Sequence, residues 1–212
     1  MQAVIVLGPF RGGTSLTTGI VRTLGTFVGE CFLDAATGYS TYEAVRLREQ
    51  CLKCFDEREC HWGYLDTFPN RVEHLRQWYQ WAVDRIDQQD EITVGGKHPT
   101  MCMLVDELAE AWRDEHGNPP WFLSVQRSPE DVIRSWRSAK TPLGSLWWPR
   151  GDIEEIVYDL IRTRDQKLAR HPHLAINFDQ LRSQPRETIE SIARTCELDQ
   201  SRIDDAVALV KH

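Results

Sequence analysis

The sequence predicts an α/β protein, a three-layer α/β/α arrangement around a central, mainly parallel sheet. Three observations lead there. Four short apolar runs, residues 3–7, 92–94, 121–125 and 174–178, are bounded by turn or helix signals and read as buried strands. Helix-length segments separate them, and strands that alternate with helices favour a parallel sheet covered on both faces. The 212 residues, 41% of them hydrophobic, suit one domain that buries roughly 70% of its unfolded surface without covalent staples. No repeat, low-complexity tract or linker interrupts the chain, so residues 1–212 are expected to form a single domain.

The first strand, 3–7, runs into a glycine-rich turn and a helix over 14–24. Helices are expected over 42–57 and 71–86 before the strand 92–94, and over 101–116 after it. The strand 121–125 leads to Ser128-Pro129-Glu130-Asp131, which offers an N-cap, a proline at the first helical position and acids at the positive end of a helix over 129–138. Residues 141–151 hold two Pro, two Gly and two adjacent Trp, and read as a long functional loop. A helix over 152–170 precedes the strand 174–178. Helices over 185–196, opened by Gln184-Pro185, and over 201–210 complete the set.

Charge excludes some functions. The chain carries 25 Lys and Arg against 32 Asp and Glu, a net −7, which argues against a protein that wraps nucleic acid. The N-terminal stretch lacks the basic flank of a signal peptide, and no apolar run approaches the roughly 20 residues needed to span a bilayer. A soluble, cytoplasmic protein is expected. Its six Cys are scattered, so reduced thiols are the expectation.

The chemistry concentrates after the first strand, in Gly8-Pro9-Phe10-Arg11-Gly12-Gly13-Thr14-Ser15. Strand, glycine-rich turn and helix N-terminus make an anion cradle, because free backbone N–H groups converge there and the helix dipole adds partial positive charge. Gly12 and Gly13 admit an oxyanion close to the backbone, Thr14 and Ser15 add hydroxyl donors, and Arg11 brings a guanidinium matched to phosphate or sulfate oxygens. The spacing of Gly8 and Gly13 follows the nucleotide-triphosphate loop G-x-x-x-x-G-K-[ST], but Thr14 stands where the lysine would reach the β and γ phosphates.

This loop resembles the 5′-phosphosulfate loop of sulfotransferases that use 3′-phosphoadenosine 5′-phosphosulfate (PAPS). The resemblance implies a P-loop-like sulfotransferase architecture and a second anion site, an Arg at the end of a later strand and a Ser eight residues on, both on the cofactor's 3′-phosphate. Arg127 and Ser135 have that spacing. Residues 176–181 with 184–188 resemble a further family stretch near the C-terminus, although Phe178 stands where the family has its adenine-side Tyr.

Transfer needs positive groups where charge collects and a base for the acceptor. Arg11 is the first choice for the leaving phosphate, and Lys97 is expected to assist. For the base, His98 follows the second strand with an ordinary pKa near working pH. Glu30, 19 residues after Arg11, resembles the placement of the glutamate base in sulfotransferases that modify tyrosine or sugars. Both stay open.

The expected activity is sulfuryl transfer from PAPS to a hydroxyl or amine of a small-molecule or carbohydrate acceptor, without a metal. A P-loop kinase-like phosphotransferase and a non-catalytic nucleotide-binding module are the alternatives. Cys51, Cys54, Cys60 and His61 fall within eleven residues, too tight for a zinc module. Trp78, Trp81, Trp112 and Trp136 read as core, and Trp147 and Trp148, in the long loop, read equally as an aromatic wall for an acceptor or as a lid packed on the core. Residues 121–150 carry a local net charge of +3, which places a small polyanion there despite the acidic whole.

Overall fold

The computed structural model describes residues 2–33, 40–55, 70–86, 92–138 and 152–210. Five parallel strands form the central sheet in the order β2-β5-β1-β6-β7: β1 (Val4–Leu7), β2 (Thr26–Phe27), β5 (Thr93–Gly96), β6 (Trp121–Gln126) and β7 (His173–Asn177). β3 (Cys31–Leu33) and β4 (Ser40–Ala44) form a separate antiparallel pair. The four apolar runs are thus β1, β5, β6 and β7. β2 is an addition, pairing Thr26 with Thr93 and Phe27 with Val94 at the sheet edge.

β1 sits between β5 and β6 and is wholly buried. Successive side chains of a strand point to opposite faces, and β1 shows the consequence. Ile5 and Leu7 enter one core with α2 (Val45–Leu52), α3 (Arg71–Ile86), α4 (Val105–Ala111), α5 (Pro129–Arg137) and α6 (Ile153–Leu168). Val4 and Val6 enter another with α1 (Thr14–Thr23), α7 (Phe178–Ser183), α8 (Pro185–Thr195) and α9 (Ile203–Val210). These are the outer layers of an α/β/α fold. Trp78, Trp112 and Trp136 are buried, with Trp78 stacked on Trp112 at 4.7 Å between ring centroids. Trp81 is half-buried.

Three boundaries differ from the sequence expectation. The helix expected from residue 42 begins at Val45, because residues 40–44 pair with β3 and Tyr42 takes a left-handed φ of 50° that no helix accommodates. The helix expected over 101–116 divides into a 3-10 segment, Pro99–Met103, and the short α4. It ends early because the Asp114 carboxylate accepts from the backbone N–H groups of His116 and Asn118 and turns the chain. Phe178 opens α7 rather than closing the strand, since the Asn177 side chain accepts from the N–H groups of Asp179 and Gln180 and caps that helix. The loop 141–151 with Trp147 and Trp148, and Cys60 with His61, lie outside the described residues.

Candidate functional site

Parallel α/β sheets place ligands beyond the carboxyl ends of their strands. Here the three central strands, β5, β1 and β6, each carry a cation just past that end: Lys97, Arg11 and Arg127. A cavity of about 210 Å³ opens there, and these three cations line it together with Gly13, Thr14, Ser15, Ser135, Glu43 and Phe178.

The turn after β1 is shaped by local chemistry. The Gly12 N–H donates to the Pro9 carbonyl at 3.0 Å, so Gly12 closes the turn, although it is not among the lining residues. Arg11 holds a φ of 61° and Gly13 one of 93°. For a non-glycine residue that region costs energy and persists only where surroundings impose it. Arg127 does so, donating from Nη1 to the Arg11 carbonyl at 2.9 Å. At Gly13 a side chain has no room, since a Cβ there would lie 2.2 Å from Cδ2 of Phe178. Gly13 precedes α1 without a side-chain cap, and the first turn of α1 has no acidic residue. No side chain of its own first turn therefore neutralises its free N–H groups and dipole.

Arg127 and Ser135 converge on the glycine-rich turn. Arg11 Nε donates to Ser135 Oγ at 3.2 Å, across 124 residues of sequence. The Arg127 guanidinium lies over the Phe178 ring, 4.9 Å from its centroid. Its Nε is buried and has no hydrogen-bond partner among the described residues, although buried N–H groups are nearly always satisfied. A phosphate or sulfate oxygen is the acceptor such a donor fits. The residues present thus suit a cofactor with two anionic groups.

Lys97 and Glu43 form the polar wall opposite. Lys97 Nζ lies 2.7 Å from Glu43 Oε1, and their side chains are only 4% and 20% exposed. Burial pushes the Glu43 carboxyl up, but the cations, Lys97 first and Arg48 after it, outweigh it and hold the group below the ordinary glutamate value. Glu43 had no expected role, because its place depends on β4. Its neighbour Tyr42 fits closely against α1: a Cβ on Gly19 would lie 3.0 Å from Cε2 and Cζ of the Tyr42 ring. Glycine inside a helix costs about 0.5–1 kcal/mol relative to alanine, and the close approach of this ring is what a side chain at position 19 would obstruct.

The two bases expected from the sequence stand apart from the cavity lining. His98 is buried, its Nδ1 sharing a hydrogen bond with Thr100 Oγ1 at 2.7 Å. Burial pushes its pKa down to about 4 against the upward pull of Glu43, so it is neutral at working pH. Glu30 is exposed, and its backbone carbonyl accepts from Val45 N–H. Cys51 and Cys54 are buried free thiols whose pKa values are raised by burial, that of Cys54 to about 12. Among the described residues no group of three or more His, Cys, Asp or Glu is placed to hold a metal ion. No helix among them is long and apolar enough to cross a membrane.

No protein-family model matches the chain, nor does any curated protein. Among solved structures, the sulfotransferase domain from the Synechococcus PCC 7002 olefin synthase is similar, with a TM-score of 0.56 and 13% identity. The match covers 96% of this chain and 76% of that one. The chain therefore has the sulfotransferase fold.

Proposed function

We propose that the protein is a PAPS-dependent sulfotransferase acting on a hydroxyl or amine of a small-molecule or carbohydrate acceptor. The observation that carries this reading is the convergence of Arg11, Arg127 and Lys97, the N-terminus of α1 and the Glu43 carboxylate on one cavity. Arg11, Gly12, Gly13, Thr14 and Ser15 hold the 5′-phosphosulfate, and Arg127 with Ser135 holds the 3′-phosphate. When bound, the cofactor supplies the sulfuryl group: the acceptor oxygen or nitrogen bonds to sulfur, the sulfur–oxygen bond to the 5′-phosphate breaks, and its electron pair stays with that phosphate. Arg11 and Lys97 stabilise the charge that collects there. Glu43, facing the cavity, takes the acceptor's proton, a role that His98 and Glu30 are less well placed to fill.

Titration calorimetry tests the reading. Adenosine 3′,5′-bisphosphate is expected to bind at micromolar concentration without Mg²⁺, and ATP with Mg²⁺ more weakly. Preference for ATP would instead favour a kinase-like phosphotransferase in which Thr14 has replaced the loop lysine. Binding without consumption of radiolabelled phosphosulfate across a broad panel of alcohols, phenols, amines and sugars would favour a nucleotide-binding module.

A further inference from the structure

Among the described residues the cavity lining holds one carboxylate and one ammonium, already paired with each other, and we infer that Lys97 is a shared cation whose passage from Glu43 to the incoming sulfuryl group turns Glu43 into a working base. The inference rests on the sulfotransferase reading above. It makes proton acceptance conditional on the donor being in place.

The geometry distinguishes Lys97 from the other two cations. Arg11 is tied through Nε to Ser135, and Arg127 through Nη1 to the Arg11 carbonyl. Lys97 is tied to Glu43, 2.7 Å away. An ammonium is a compact charge on a flexible four-carbon stem, so it can change partners without rebuilding the backbone. Both members line the same cavity as the phosphate loop. A sulfuryl oxygen there competes with Glu43 for one positive charge.

The consequence for Glu43 follows from its surroundings. Facing it are Lys97 beyond β5, His98 in the next loop, Arg48 of α2, and the thiols of Cys31 in β3 and Cys51 in α2. His98 is neutral and buried, and the thiols stay protonated. Lys97 is the leading charge opposing desolvation of the carboxylate. With that charge turned toward the sulfuryl group, burial dominates and the proton affinity of Glu43 rises. In the resting pair the carboxylate is a weak base and the ammonium is neutralised. Their separation activates both, one as proton acceptor and the other as a stabiliser of the leaving phosphate.

The test needs no acceptor. Calorimetry in two buffers of different ionisation enthalpy measures the protons taken up on binding, at about pH 5.5, where the resting Glu43 carboxylate, held below the ordinary glutamate value, is ionised. Phosphate groups and other residues contribute equally to the wild type and to Glu43→Gln, so the difference between the two isolates Glu43. With PAPS the wild type is expected to take up measurably more protons than Glu43→Gln. With adenosine 3′,5′-bisphosphate, which lacks the sulfuryl group, the difference should be smaller. Glu43→Gln should also bind PAPS several-fold more tightly, because Lys97 then leaves no buried carboxylate behind. Lys97→Met should lose the excess uptake while still binding the bisphosphate. Equal uptake by wild type and Glu43→Gln with PAPS, or the same excess with both nucleotides, overturns the exchange. Failure of the wild type to bind either nucleotide overturns the sulfotransferase reading itself.

Discussion

Replacing Arg127 with alanine should separate binding from stability. The side chain donates to the Arg11 carbonyl at 2.9 Å and covers the Phe178 ring at 4.9 Å. Losing them costs about 0.5–1.5 kcal/mol for the hydrogen bond and about 0.5–1 kcal/mol for the cation–π contact. Against this, the substitution removes a buried Nε with no partner among the described residues, a standing penalty of about 1–3 kcal/mol. These contributions nearly cancel, so the melting temperature should move by no more than about 2–4 °C, the shift expected per kcal/mol in a domain of this size. Binding has no such compensation. A charge-assisted Arg–phosphate contact is worth about 1.5–3 kcal/mol, and the affinity for adenosine 3′,5′-bisphosphate should fall roughly 10- to 150-fold. Calorimetry for affinity and a thermal melt for stability read the two separately. Arg127→Lys keeps the charge without the planar fork and should recover part of the loss. Unchanged affinity, or a melting temperature lowered in proportion to the affinity, would show that Arg127 acts on the fold and not on the ligand.

Other substitutions probe how the site is built. Gly13→Ala combines a φ of 93° with a Cβ 2.2 Å from Phe178. It should cost on the order of 2–4 kcal/mol in a denaturant melt, and Phe178→Ala should relieve part of that cost when combined with it. Gly19→Ala gains about 0.8–1 kcal/mol of helix propensity but presses on the Tyr42 ring. It should leave bisphosphate affinity unchanged and abolish the Glu43-dependent proton uptake with PAPS, whereas a variant merely more stable and otherwise normal would show that the fit does not aim Glu43. His98 supplies a pH signature. Its pKa is depressed from 6.5 to about 4, so the unfolded chain binds the proton first and stability present above pH 6.5 is lost as pH falls toward 4. The full loss is roughly 3 kcal/mol, and His98→Asn should flatten this limb of the stability–pH curve.

What could be read in the sequence follows from the range of the interactions involved. The strands β1, β5, β6 and β7 announce themselves because each is a run of apolar residues beside a turn, and burial on both faces makes the pattern local. Arg127 and Ser135 were singled out by the eight-residue spacing that the sulfotransferase resemblance implies, and the structure places both beside Arg11. Glu43 was not. Its importance arises from an ion pair with Lys97, 54 residues away, and from a β3–β4 pairing hidden in a stretch whose charge pattern suggests a helix. The signal present was Thr41 and Tyr42, a β-branched and an aromatic residue that favour extended structure. β2 was missed because two residues carry no periodicity, and the start of α7 because the Asn177 cap reads equally well as the last residue of a strand. His98 illustrates the converse. The sequence places it at the ligand edge of the sheet, but only packing decides that its ring is buried beside Thr100 and not in the cavity.

The position of β1 also governs how the protein is made. As the first strand in the chain and the middle strand of the sheet, it pairs Val4 with Gly95 on one edge and with Trp121 on the other. Neither edge can close until those distant residues have been synthesised, and contacts of such long sequence separation make folding slow. Until then an apolar strand stands open to wrong partners. The phosphate loop hangs from this same strand, and the cavity draws on residues from Phe10 to Phe178. No early fragment can therefore assemble it, and binding of any ligand to the cavity would report completed folding, usable to follow the appearance of native chains during synthesis or refolding.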